Sequence, residues 1–136
     1  MATSPTFSSG VAVLRAQILP ANTTAWVDVY DNSAGTKSVR VEGLGITSDD
    51  TSTVNIQFSM LASGTNYPVA TVRAVTLSGM DGAAARINAL SSVGVVGPDG
   101  IYDLWIGAGE KLQAKSLVTV TSAKAVTITG RARLYV

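Results

Sequence analysis

Apolar and small polar side chains alternate nearly one for one along most of this chain, and a period of two is the signature of a strand with one buried face, not of a helix. Eight such segments, rich in Val, Ile and Thr, follow one another: VAVLRAQIL (11–19), AWVDVY (25–30), KSVRVEGLGIT (37–47), STVNIQFSML (52–61), YPVATVRAVTL (67–77), IYDLWIG (101–107), KLQAKSLVTV (111–120) and AVTITGRARLYV (125–136). Between them lie residues that accept positive φ or cap their own backbone, as in Pro20-Ala21-Asn22, Asp31-Asn32-Ser33-Ala34-Gly35, Ser48-Asp49-Asp50, Ser63-Gly64-Thr65-Asn66 and Gly97-Pro98-Asp99-Gly100. No segment sustains a helical period; the Ala-rich stretch 83–90, with Asp81 as its N-cap, predicts one or two turns of helix. The expected fold is all-β, an antiparallel β-sandwich or jelly roll of about eight strands.

A length of 136 residues suits one domain with a single core. Residues 1–10 are rich in Ser and Thr, carry Pro5 and show no periodicity, so they predict a flexible arm that orders on docking, ahead of a sandwich domain over 11–136. The N-terminus has no basic region, and the apolar stretch after it is broken by Arg15 and Gln17, which predicts no secretory signal. The longest uncharged run, 51–72, holds too many polar residues for a membrane span.

The chain has no cysteine and no histidine, which removes disulfides, thiolate nucleophiles, Cys/His zinc sites and the usual general base near neutral pH. A net charge of +1 supplies no field to attract nucleic acid or an anionic membrane. Charged residues are 14% of the chain, against roughly 25% in an ordinary soluble domain, and a surface so poorly charged favours association. The remaining candidates for chemistry are weak. Asp49 and Asp50 are adjacent in a turn and cannot act as the spaced carboxylate pair of a glycosidase. Glu42 and Glu110 have no evident acid or base partner. Asp28, Asp31, Asn32 and Ser33 offer oxygen ligands at a spacing that matches no calcium loop, and Asx turns account for them. Gly107-Ala108-Gly109 lacks the helix and lysine of a phosphate-binding loop. Neither catalysis, nor a metal, nor a cofactor is expected.

Positively charged residues recur on the polar faces of the last two segments. With Thr121-Ser122-Ala123 as a hairpin turn, Val118 faces Val126, Leu112 faces Ala132, and Lys111 stands opposite Arg133. Lys111, Lys115, Arg131 and Arg133 then form a basic stripe, with Tyr135 beyond it, and like charges so placed invite either an acidic partner protein or carboxylates from a neighbouring strand.

The Ser/Thr arm, the Val/Thr strands, "PANTTAWVDVYDNSAG" early, "GAGEKLQAKS" late and the terminal "AVTITGRARLYV" together resemble the jelly-roll cement or decoration proteins of tailed-phage capsids, of the small type found on Bordetella podoviruses. That resemblance implies a non-enzymatic virion protein, made in the host cytoplasm, that sits on the outer capsid surface as a homodimer or other homo-oligomer and bridges neighbouring major capsid proteins; the charge pattern, independently, makes Lys111, Lys115, Arg131, Arg133 and Tyr135 the expected partner-binding residues. Two other readings remain open: a tail, collar or head-fibre module of the same fold, and a carbohydrate-binding module stacking sugar on Trp26, Trp105 or Tyr102.

Overall fold

Each of the eight alternating segments becomes a strand in the computed structural model, which describes residues 8–79, 85–96, 100 and 102–135. In chain order the long strands are β1 (Ser8–Ile18), β2 (Val27–Asp31), β3 (Val39–Ser48), β4 (Val54–Ala62) and β5 (Thr65–Ala74), then β8 (Tyr102–Ile106), β9 (Lys111–Ser116) and β10 (Val126–Tyr135). Between β5 and β8 come two strands of two residues, β6 (Ile87–Asn88) and β7 (Val95–Val96), with a single helical turn, α1 (Leu90–Val93), between them. The helix expected over 83–90 is therefore displaced: Leu90 is its first residue instead of its last, and Ile87 and Asn88 pair with Ile46 and Gly45 of β3. Asp81, Ala83 and Ala84 lie outside the described residues.

The strands form two sheets, ordered β1-β10-β3-β8-β7, with β6 also on β3, and β2-β9-β4-β5. Every pairing is antiparallel. Among the eight long strands, consecutive ones lie in opposite sheets except β4 and β5, and that alternation is the jelly-roll arrangement. The exception is a hairpin closed by Ser63 and Gly64, at φ 51° and 78°, where left-handed backbone at both positions matches the twist of the flanking strands. β1 begins at Ser8, opposite Tyr135, inside the span read as an arm; residues 1–7 lie outside the described residues.

Alternation decides which side chains meet between the sheets. On β1, Leu14 and Ile18 are fully buried, while Val11, Val13, Arg15 and Gln17 point outward. Val41 and Ile46 of β3, Ile106 of β8 and Ile128 of β10 complete that inner face, and Ile56 and Phe58 of β4 with Leu112 and Ala114 of β9 oppose it, all with no exposed surface. Burying one such aliphatic or aromatic side chain contributes about 1.5–3 kcal/mol, so this layer is the main source of cohesion in a chain without cross-links.

The expected β9–β10 hairpin does not form. β9 stops at Ser116 and pairs with β2 and β4, whereas β10 pairs with β1 and β3, so residues 117–125 carry the chain from one sheet to the other. Asp49 and Asp50 hold that crossing. The Asp50 carboxylate accepts from Thr121 N–H at 2.9 Å and from the Thr121 hydroxyl at 2.7 Å, and Asp49 accepts from Ala125 N–H at 2.7 Å. The apolar alternation of Val118 and Val120 imitates a continuing strand, yet in the fold Val120 is buried and Val118 is exposed on a connecting loop.

Candidate interaction surface

Because β9 and β10 belong to different sheets, the four cations do not form one stripe, and Lys111 does not face Arg133. Lys111 Nζ lies 3.1 Å from Asp28 Oδ2 and 3.5 Å from Asp31 Oδ2 of the neighbouring β2. The hydrogen bond to Asp28, then the negative charges of Asp28 and Asp31, raise its pKa. Lys115 stands over the Trp26 ring, 4.6 Å from the centroid. In the other sheet Arg133 makes a two-pronged contact with Glu42, Nε to Oε1 at 2.9 Å and Nη2 to Oε2 at 3.1 Å. Arg40 joins this network through Asp103 at 2.9 Å and Glu42 at 3.9 Å. Carboxylates from adjacent strands thus answer Lys111 and Arg133, the second of the two possibilities the sequence leaves open. Tyr135 closes β10 opposite Ser8, and Arg131, opposite Val13 and Gly43, makes no ion pair among the described residues.

The groups weighed for chemistry are engaged in holding loops. Asp50 is 1% exposed; burial pushes its pKa up, and hydrogen bonds from Thr121 N–H, Ser52 N–H and the Thr121 hydroxyl outweigh that and leave it below the usual carboxylate value. Asp31 is also lowered, first by its hydrogen bonds with Ser33 and then by Lys111. The Asn32 amide donates to the carbonyls of Lys37 (3.0 Å), Ile106 (3.3 Å) and Gly107 (2.9 Å), so it ties the β2–β3 loop to the end of β8. Glu110 accepts from Gly107 N–H and shapes the β8–β9 turn. Among the described residues no cluster of three His, Cys, Asp or Glu side chains is placed to hold a metal. Trp26 precedes β2 of one sheet and Trp105 lies on β8 of the other, so the two indoles do not make one stacking platform.

Among the exposed apolar side chains, two groups lie toward the edges of the larger sheet. At the β1 edge of the larger sheet Val11 and Val13 are 58% and 66% exposed. At its opposite edge, Val95 and Val96 of β7 are 71% and 52% exposed, Val96 opposite exposed Tyr102 of β8, while Trp105, 49% exposed on the other face of β8, stands opposite Arg40 of β3. Sequence reasoning passed over the first patch, although its signal was present: in VAVLRAQI the two valines share parity with Arg15 and Gln17, the polar side of the strand. The second was hidden because β7 has only two residues and no period to detect.

No protein-family model and no curated protein sequence matches this chain. Solved structures similar to it include the core of Drosophila NLP, described in terms of pentamer formation and histone binding, at TM-score 0.48 and 11% identity over 91% of this chain and 97% of that one. They also include the nucleoplasmin-like N-terminal domain of Drosophila FKBP39, at TM-score 0.41 and 13% identity over 93% of both chains. These neighbours are nucleoplasmin-like domains and not capsid decoration proteins. The resemblance to phage cement proteins is corrected on this finding, and with it go the major capsid protein as partner, the outer capsid surface as location, and the tail-module and carbohydrate-binding alternatives.

Proposed function

We propose that this chain is a non-catalytic association module that forms a closed homo-oligomer by head-to-tail contact between the two edges of its larger sheet. The observation that carries the reading is exposed apolar surface toward both edges, Val11 and Val13 on β1 at one and Val95, Val96 and Tyr102 on β7 and β8 at the other, with Trp105 exposed on the outer face of β8. Two different patches on opposite edges favour a heterologous contact, and such contacts close into rings when the rotation between copies permits. The β1 edge is also undefended. β1 runs for eleven residues without proline, whereas β5, which ends the smaller sheet, is blunted by Pro68 and a bulge between Phe58 and Ser59 of its partner strand. A nearly neutral, lightly charged surface adds little repulsion against assembly.

Sedimentation and light scattering test this directly. The wild-type chain is expected to form a defined oligomer at micromolar concentration, five subunits being the number stated for the Drosophila core. Val13→Lys and Trp105→Lys each spoil one patch and are expected to give monomers. Mixed together, the two variants retain one good patch each and are expected to form a heterodimer. A monomeric wild type, or a Trp105→Lys variant that assembles as well as wild type, refutes the head-to-tail reading.

A further inference from the structure

On the outer face of the larger sheet, between β10 and β3, lies a cavity of about 270 Å³ lined by Gly43, Arg86, Thr129, Gly130 and Arg131. We infer that it is a binding site for a compact oxyanion, a phosphate or carboxylate group. Two guanidinium groups flank the cavity and no carboxylate lines it. Elsewhere on this face Arg133 has Glu42 beside it and Arg40 has Asp103, whereas Arg86 and Arg131, like Arg15 on β1, make no ion pair among the described residues. Two neighbouring like charges without a counter-charge are unfavourable, and a planar guanidinium matches the oxygens of a carboxylate or phosphate in two-pronged fashion.

The site is also built in advance. Arg86 Nη2 donates to the Thr129 carbonyl at 3.0 Å and to the Thr129 hydroxyl oxygen at 2.8 Å, which leaves its other N–H groups and the Thr129 hydroxyl proton to donate elsewhere. Its guanidinium lies flat against Gly45, where any Cβ would collide with it. Gly43 forms an open floor, because a Cβ there would meet nothing within 4 Å. Three features of the sequence, Gly43, Gly45 and the lone Arg86 of an irregular segment, thus acquire one explanation that no strand pattern supplies. The volume falls just below the range of roughly 300–1,000 Å³ typical of drug-sized ligands, which suits a small anionic group or the anionic end of a larger molecule.

Titration with inorganic phosphate and, separately, with succinate, at constant ionic strength and read by the arginine Nε–Hε resonances, tests the inference. Saturable shifts confined to Arg86 and Arg131 are expected, and the tighter of the two probes identifies the oxyanion. Arg131→Gln is expected to weaken binding about tenfold, the loss of one charge-assisted pair. Gly43→Val fills the cavity without a clash and is expected to abolish binding with the fold retained, as judged by the backbone spectrum. Arg73→Gln, on the other sheet, is expected to bind as wild type does. Absence of saturation with both probes, or equal binding by wild type and Gly43→Val, overturns the site.

Discussion

Asn32 shows how much of this fold depends on single polar side chains. It is 6% exposed and its side-chain amide serves three backbone carbonyls, of Lys37, Ile106 and Gly107, while its backbone carbonyl accepts from Gly35 and Gly109 N–H. Asn32→Ala removes three hydrogen bonds, one of them buried, so a loss of about 1–3 kcal/mol is expected, measured as a lower urea midpoint at unchanged slope. Asp50 makes stability depend on pH. Its carboxyl titrates below its ordinary value in the fold, so its contribution is complete above the unfolded carboxyl value and is lost as pH falls through the depressed one. Acid unfolding followed by circular dichroism is therefore expected to begin on that limb, and Asp50→Asn to flatten it. Sequence reading identified both residues as loop formers. Their partners were not legible, since Asn32 reaches 75 positions along the chain to Gly107 and Asp50 reaches 71 to Thr121.

Elements add constraints that residues alone do not carry. The Ser63-Gly64 turn has left-handed backbone at both central positions, and serine is a poorer occupant of the first than asparagine. Ser63→Asn is expected to stabilise the hairpin by about 0.5 kcal/mol, a rise in Tm of a few degrees by calorimetry. Where β10 crosses β3 at a bulge, Gly130 lies so close to Gly43 that a Cβ would collide with the Gly43 carbonyl oxygen. Gly130→Ala is expected to cost about 1–3 kcal/mol by forcing the two strands apart, while Gly43→Ala, facing open space, is expected to cost much less. Strand existence was readable from period-two patterning in all eight long strands, and strand ends fall within three residues of expectation except at the C-terminal end of β9. β9 was overextended because Val118 and Val120 continue the alternation after the ladder has ended.

At the scale of the whole molecule, assembly and stability are linked by mass action. If copies associate through the edges of the larger sheet, Tm rises with protein concentration in the wild type and is independent of it in Val13→Lys, which a dilution series in a thermal melt distinguishes. The sequence by itself determined the all-β class, through alternation, and the absence of cysteine and histidine chemistry, through composition, because these depend on neighbours one or two positions away or on residue counts alone. Which sheet each strand joins, and hence which charges meet, only the tertiary structure decided. Arg133 finds Glu42 across 91 positions and Lys111 finds Asp28 across 83, distances over which local pattern carries no information, and a crossing loop in place of one hairpin separates a stripe of four cations into two neutralised pairings, a lysine stacked on Trp26, and an arginine beside an open cavity.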